Sequence, residues 1–237
     1  MSKLPWLSDT TLEFPPVSKA LKDPDGLLAV GGDLSCERLI RAYENGIFPW
    51  YQDDQPILWW SPSLRMALRP EELIISRSMR KVLRRGEYRV TLDQAFAQVI
   101  EHCALTREAY PGTWITPQMQ EAYCALHRRG IAHSVEVWHE GVLVGGLYGI
   151  AMGRLFFGES MFNLRDNASK TGFIWLVKQL QVWHYQLIDC QVPSEHLRSL
   201  GAKDMPRAQF LEILAQARTL PGRQGPWEME LRDLASE

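Results

Sequence analysis

The chain has 237 residues, 46% hydrophobic and 23% charged, enough apolar material for one large domain or one domain with a small appendage. A formal net charge of -2 excludes a globally basic nucleic-acid or membrane-surface binder, so any polyanion would have to meet a local patch. The four cysteines (Cys36, Cys103, Cys124, Cys190) form no CxxC pair and the six histidines no HExxH, no apolar run nears the roughly 20 residues of a membrane span, and Pro5, Asp9 and Glu13 interrupt any signal peptide, so the chain reads as soluble, reduced and cytoplasmic, with no metal site.

The first sixty residues are rich in Pro, Gly, Asp and Trp, with turn signals at "DPDG" and "VGGD". They hold one expected helix, "LSCERLIRAYENG", with Ser35 as N-cap and Gly46 as its stop. Residues 1–61 are therefore expected to be a small irregular module packed on a main domain over 62–237. Beyond it, "MRKVLRR" reads as a basic helix, "YRVTL" as a strand, and "DQAFAQVIEHCA" as a helix capped by Asp93. "TPQMQEAYCALHRRG" has the full helix punctuation, with Thr116 as cap, Pro117 in the first turn and Gly130 after the last. "AHSVEVWH" and "VLVGGLYGIAM", joined by Glu140-Gly141, form a hairpin. "RLFFGESMF" follows as a strand, then a helix "ASKTGFIWLVKQLQVWH" capped by Asn167, the strand "QLIDCQV", and the helices "SEHLRSLG" and "PRAQFLEILAQA". This is an α+β order with a mixed sheet, in which a parallel crossover makes "FFGESMF" and "LIDCQV" neighbours.

Three groups of residues suggest chemistry. Strand alternation places Phe157, Glu159 and Met161 on one side of their strand, and Asp189 and Gln191 on one side of theirs, with Ile188, Cys190 and Val192 facing away. Two carboxylates and an amide between apolar strands are costly unless paired, hydrogen-bonded or wet. A structural ion pair of Glu159 with Arg154 or Arg165, or a loop hydrogen bond at Asp189, competes with a catalytic reading. Cys190 reads as a small buried hydrophobe. A second group, Arg77, Arg80, Lys81, Arg84 and Arg85, concentrates positive charge, with Arg77, Lys81 and Arg84 on one helix face; it suits either a solvated surface or a phosphate backbone. The third is aromatic: Trp50, Tyr51, Trp59 and Trp60 in "GIFPWY" and "ILWWSP", with Trp114 in "GTWIT", serve as core anchors or as stacking platforms for bases. No G-x-S-x-G elbow or phosphate loop is present, and Gly145, Gly146 and Gly149 fit bulges or close backbone approach.

The blocks "GLLAVGGDLS", "AYENGIFPWY", "ILWWSP", "ISRSM", "GTWIT", "AHSVEVW", "LVGGLYG", "FFGESMF", "NASKT" and "LIDCQV" together resemble the leucyl/phenylalanyl-tRNA–protein transferase family over nearly the whole length. The resemblance implies transfer of Leu or Phe, and Met more weakly, from aminoacyl-tRNA to the α-amine of proteins with N-terminal Arg or Lys, marking them for degradation. It implies a GNAT-like mixed sheet flanked by helices and a small N-terminal domain. A monomer is expected, and since an aminoacyl ester on tRNA is already activated, no cofactor is needed. By motif, Glu159, Asp189 and Gln191 match catalytic positions. Tyr43, Trp50 and Trp114 match contacts to the terminal adenosine, with Tyr123 near them. Leu147, Phe156, Met161, Phe173, Leu176 and Ile188 match the pocket for the transferred side chain, and Arg77, Arg80, Lys81, Arg84 and Arg85 the acceptor-stem patch. Strand parity puts Phe156 and Glu159 on opposite faces unless Gly158 introduces a bulge. An acetyl-CoA-dependent acetyltransferase would need a glycine-rich pyrophosphate loop where "RDNASKT" stands, and an RNA-binding adaptor would leave Glu159, Asp189 and Gln191 idle.

Overall fold

The computed structural model describes residues 4–8, 10–108 and 114–232. Gly112 and Thr113 of the "GTWIT" block lie outside the described residues. The N-terminal segment is more regular than its turn-rich sequence suggests. Strands β1 (Trp6–Leu7), β2 (Leu27–Gly31), β3 (Phe48–Pro49) and β4 (Leu58–Trp60) form a four-stranded sheet in the order β1-β2-β4-β3. Strands of two to five residues are too short to show alternation, which is why this sheet is hidden in the sequence. Helix α1 (Cys36–Glu44) lies between β2 and β3. Ser35 caps it as expected, its Oγ accepting from the Arg38 N–H at 3.3 Å, and Gly46 leaves the helix at φ +69°.

The larger sheet has seven strands in the order β11-β5-β10-β9-β8-β7-β6. Its hairpin half comprises β6 (Arg89–Leu92), β7 (Ala132–His139), β8 (Val142–Met152) and β9 (Leu155–Asn163), all paired antiparallel. The Glu140-Gly141 turn between β7 and β8 has φ of +50° and +80°, the left-handed pair that a two-residue hairpin needs. Helix α5 (Ala168–Val182) then crosses over to β10 (Leu187–Gln191), which pairs parallel to β9 with Ile188 opposite Phe156 and Asp189 opposite Phe157. Two further strands, β5 (Leu64–Leu68) and β11 (Lys203–Pro206), close the far edge antiparallel.

Helices cover both faces. On one side α1, α3 (Phe96–Glu108), α4 (Pro117–Arg128) and α7 (Arg207–Ala217) share a core with Tyr148, Ile150 and Phe157 and with Leu28 and Trp59 of the small sheet, so the two sheets bury one continuous apolar cluster. On the other, α2 (Arg77–Arg85) and α5 pack over Val135, Leu147, Phe156 and Ile188. A short helix, α6 (Glu195–Arg198), follows β10. Among the described residues no helix is long and apolar enough to cross a membrane.

One expected cap is corrected, and another holds in position without its side-chain bond. Asp93 does not cap α3: its carboxylate accepts from the Ser134 and Trp227 N–H groups and pairs with His133. The α3 start is held from β7, where Glu136 accepts from the Gln94 and Ala95 N–H groups at 3.3 and 3.2 Å and from the Thr91 and Ser134 hydroxyls. Asn167 occupies the α5 cap position at φ +64° without a side-chain cap bond, and Asn163 Oδ1 accepts from the Ser169 N–H instead. In both cases a neighbouring strand supplies the acceptor, a relation that sequence spacing does not contain.

Candidate active site

Two slips in strand register create the site. Between β8 and β9 the pairing passes from Tyr148–Ser160 to Gly149–Gly158, so Glu159 is the extra residue of a bulge. Between β10 and β5 it passes from Asp189–Ala67 to Gln191–Met66, which makes Cys190 the extra residue. Gly149 is required here: a Cβ on it would lie 2.1 Å from the Phe157 carbonyl oxygen and 2.4 Å from the Phe156 ring. The bulge corrects the simple alternation. Met161 pairs with Leu147 and shares the Phe156 face, whereas Phe157 packs in the opposite core, so Phe157, Glu159 and Met161 do not share a side.

The slips bring Glu159 and Gln191 into direct contact, with Gln191 Nε2 donating to Glu159 Oε1 at 2.7 Å. The backbone at Gln191 is strained. Its φ is +62°, and the Val192 N–H donates across it to the Cys190 carbonyl, a tight left-handed γ-turn of the kind that concentrates at functional sites. Asp189 holds that turn by accepting the Gln191 N–H on Oδ1 at 2.9 Å.

Asp189 itself faces away from the opening. It is fully buried and paired with Arg65, whose Nε and Nη2 both reach its carboxylate while Nη1 donates to the Gly46 carbonyl at 2.9 Å. The guanidinium also lies over the Phe48 and Phe210 rings, 4.9 and 4.5 Å from their centroids. The expectation that Asp189 and Gln191 present side chains together is therefore corrected: the bulge at Cys190 turns Gln191 towards Glu159 and leaves Asp189 behind the strand. Arg65 was not singled out in the sequence, although a lone arginine in the apolar strand "LRMAL" is the same signal that drew attention to Glu159.

A cavity of about 440 Å³ opens above this pair, with Glu159 and Gln191 in its wall. Leu147, Phe156, Met161, Phe173 and Ile188 line it, as expected for one apolar pocket, and Trp50 and Trp114 stand on its aromatic side, Trp50 being half exposed. Cys190 also lines it, its thiol pushed up by burial, so it serves as an apolar wall. Leu176 is not part of the lining; it lies fully buried in the core behind.

Tyr43 and Tyr123 are placed differently from the expected adenosine contacts. Both are fully buried and absent from the cavity wall. They form a chain beneath Glu159: the hydroxyls lie 2.5 Å apart, and Tyr123 donates to Glu159 Oε2 at 3.0 Å. Burial pushes the Glu159 carboxyl up to about 7, opposed by the hydrogen bonds of Tyr43 and Tyr123, with the Asp189 charge adding to the rise. Burial likewise raises both phenols, which stay protonated and able to donate.

The basic helix stands apart. Arg77, Arg80, Lys81, Arg84 and Arg85 are all exposed along α2, which is anchored by buried Met79, with Arg85 3.8 Å from Glu87. Among the described residues no three His, Cys, Asp or Glu side chains converge as metal ligands.

Similarity to known proteins is extensive. Residues 67–215 match the family described as leucyl/phenylalanyl-tRNA protein transferase, and residues 32–63 match its N-terminal domain. The leucyl/phenylalanyl-tRNA–protein transferase of Pseudomonas putida is 63% identical over 212 residues, 90% of this chain and 94% of that protein. That of Ectopseudomonas mendocina is 60% identical over 220 residues, 93% of this chain and 97% of that protein. Among solved structures, FemX aligns at TM-score 0.48 and 9% identity over 72% of this chain and 66% of that one. With matches this close running through both sheets and through the strands that carry Glu159 and Gln191, the chain belongs to the leucyl/phenylalanyl-tRNA–protein transferase family of enzymes.

Proposed function

We propose that the protein moves Leu or Phe, and Met more weakly, from aminoacyl-tRNA to the α-amine of proteins beginning with Arg or Lys, marking them for degradation. One observation carries the reading: a hydrogen-bonded carboxyl–amide pair, Glu159 and Gln191, sits in the wall of an apolar cavity beside two tryptophans. The donor side chain enters the cavity against Leu147, Phe156, Met161, Phe173 and Ile188. The terminal adenosine stacks at Trp50 and Trp114, and exposed Arg77, Arg80, Lys81, Arg84 and Arg85 take the acceptor-stem phosphates. Phosphate contacts position without reading sequence, so the patch accepts any tRNA body that presents the right end.

The ester linking the amino acid to tRNA is already activated, and holding it beside the amine is worth up to roughly 7–11 kcal/mol in ideal cases. The α-amine nitrogen attacks the ester carbonyl carbon and the C–N bond forms. The C–O bond to the ribose then breaks, and the ribose oxygen leaves with a proton. Before attack the ammonium must lose one proton. An α-amine titrates near ~7.7–8.0, and a Glu159 carboxyl near 7 is matched to it, so Glu159 can both attract the cationic N-terminus and accept that proton. Gln191 has no titratable proton. Its Nε2 is committed to Glu159, which leaves its Oε1 to orient an amine N–H. Asp189 is committed to Arg65 and to the Gln191 backbone, and its role is to hold the turn rather than to relay protons.

The test is steady-state transfer of labelled Phe from Phe-tRNA to peptides starting with Arg, Lys, norleucine or Glu. The Glu159→Gln variant should raise KM for the Arg peptide more than it lowers kcat, and norleucine should be a poor acceptor for the wild type. A collapsed kcat with unchanged KM rejects charge recognition by Glu159, and equal transfer to norleucine rejects selection for a basic first residue.

A further inference from the structure

Residues 221–232 run back over the sheet face that carries the cavity. The Glu230 and Leu231 N–H groups donate to Gln179 Oε1 on α5 at 2.8 and 3.1 Å, and the Trp227 N–H donates to Asp93 Oδ2 at 2.7 Å. Arg223 pairs with Glu230 at 3.0 Å and lies over the Trp183 ring. At the centre of this strap is Trp227, 1% exposed. Its indole stacks on His133 at 3.8 Å and 7°, meets Trp183 and Tyr185 edge-on, and lies 5.8 Å from the Phe156 ring. His133 is itself fixed by Asp93 at 2.7 Å.

Phe156 therefore has two supports. On one side its ring lies so close to the Gly149 backbone that even a Cβ there would sit 2.4 Å away. That backbone is paired with Gly158 in the β8–β9 ladder. On another side stands the indole of Trp227, and Phe156 also faces the cavity. Withdrawal of the ring from the cavity towards Trp227 needs the volume that the indole fills, and close-packed interiors do not allow this without a vacated volume.

We propose that Trp227 is a specificity-determining positioning residue: acting through Phe156, it fixes the depth of the cavity and so the preference between donor side chains. This rests on the reading that the cavity takes the donor side chain. With the indole present the pocket is shallow and holds Leu and Phe comparably. With the indole shortened, Phe156 relaxes backwards and the deeper pocket favours the larger Phe.

The experiment measures kcat/KM for Phe-tRNA and Leu-tRNA with one Arg-starting peptide, using full-length wild type, Trp227→Phe, Trp227→Leu and Phe156→Leu. The Phe:Leu ratio should rise from wild type through Trp227→Phe to Trp227→Leu, by roughly tenfold at the end, the low end of what one methylene is worth in an apolar pocket. KM for the peptide should stay within about twofold, since the acceptor side at Glu159 is untouched. A purely structural role would lower both donors in parallel and leave the ratio flat. A flat ratio in both Trp227 variants while Phe156→Leu shifts it overturns the inference alone. A flat ratio in Phe156→Leu as well overturns the cavity reading, and the inference with it. Should Trp227→Leu fail to fold, Trp227→Phe, which keeps a ring, decides the matter on the same ratio.

Discussion

Removing the Glu159 charge should change how stability depends on pH, and by an amount the structure sets. The carboxyl is moved from its ordinary 4.5 to about 7, chiefly by burial. At about 1.4 kcal/mol per pH unit this displacement is worth about 3 kcal/mol. The sign follows from which state holds the proton. Between pH 4.5 and 7 the folded chain keeps the Glu159 proton that the unfolded chain has released. Its contribution is therefore complete below the unfolded value, falls as pH rises, and is lost above the folded value. Glutamine cannot titrate, and it can still accept from Tyr123 or Gln191. The stability of Glu159→Gln minus that of wild type should then grow by about 3 kcal/mol from below pH 4.5 to above pH 7, most of it between pH 5 and 8. Taking the difference cancels other titrating groups, including Glu136, whose carboxyl burial also raises. Urea unfolding followed by tryptophan fluorescence at pH 5, 6, 7 and 8 measures it. A difference that stays flat to within about 0.5 kcal/mol would mean the Glu159 carboxyl has an ordinary affinity for protons, and the proton-acceptor role would fall with it.

Three further outcomes follow from the same geometry. Asp189→Ala strands the Arg65 guanidinium in the core and should cost about 3–5 kcal/mol in urea unfolding, whereas the paired replacement Arg65→Met with Asp189→Leu should recover much of that; equal losses in both would show that packing rather than charge governs the site. Replacing Arg80, Lys81 and Arg84 with alanine should flatten the dependence of log Kd for tRNA on log salt by up to ~0.9 per residue, and an unchanged slope would remove α2 from the interface. Thr116→Ala removes the side chain that caps α4, whose Oγ1 accepts from the Met119 N–H at 3.2 Å, and should lower stability by about 1 kcal/mol on the same assay.

Local chemistry made much of the fold legible. Ser35 and Thr116 are caps because a short hydroxyl next to a helical pattern satisfies an orphan N–H, and Glu140-Gly141 is a turn because glycine tolerates positive φ there. The pairing of β9 with β10 followed from one helix joining two apolar strands. What stayed hidden depended on partners distant in sequence. Glu136 holds the start of α3 from a strand some forty residues on, and Asp189 finds Arg65 across 124 positions. The face of Met161 was misassigned because alternation assumes an unbroken count, and one bulge residue reverses every side chain beyond it. The resemblance grouped Tyr43 and Tyr123 with Trp50 and Trp114, yet only the tryptophans reach the cavity; burial, which sequence does not report, separates them.

The two bulges also explain how a single carboxylate can be left facing a cavity at tolerable cost. An ionised pair exposed side by side on β9 and β10 would repel. Pairing Asp189 with Arg65 neutralises one charge and turns it into a rigid support for the left-handed turn at Gln191. The turn aims the Gln191 amide at Glu159, and two hydrogen-bonded phenols hold that carboxyl from below. Glu159 is buried and oriented by three neutral donors, and among the described residues it makes no ion pair, so burial raises its proton affinity and the hydrogen bonds offset only part of the rise. On the proposed function, such a site gains its counter-charge when a cationic amine arrives, and recognition of the acceptor and activation of its nitrogen become one electrostatic event.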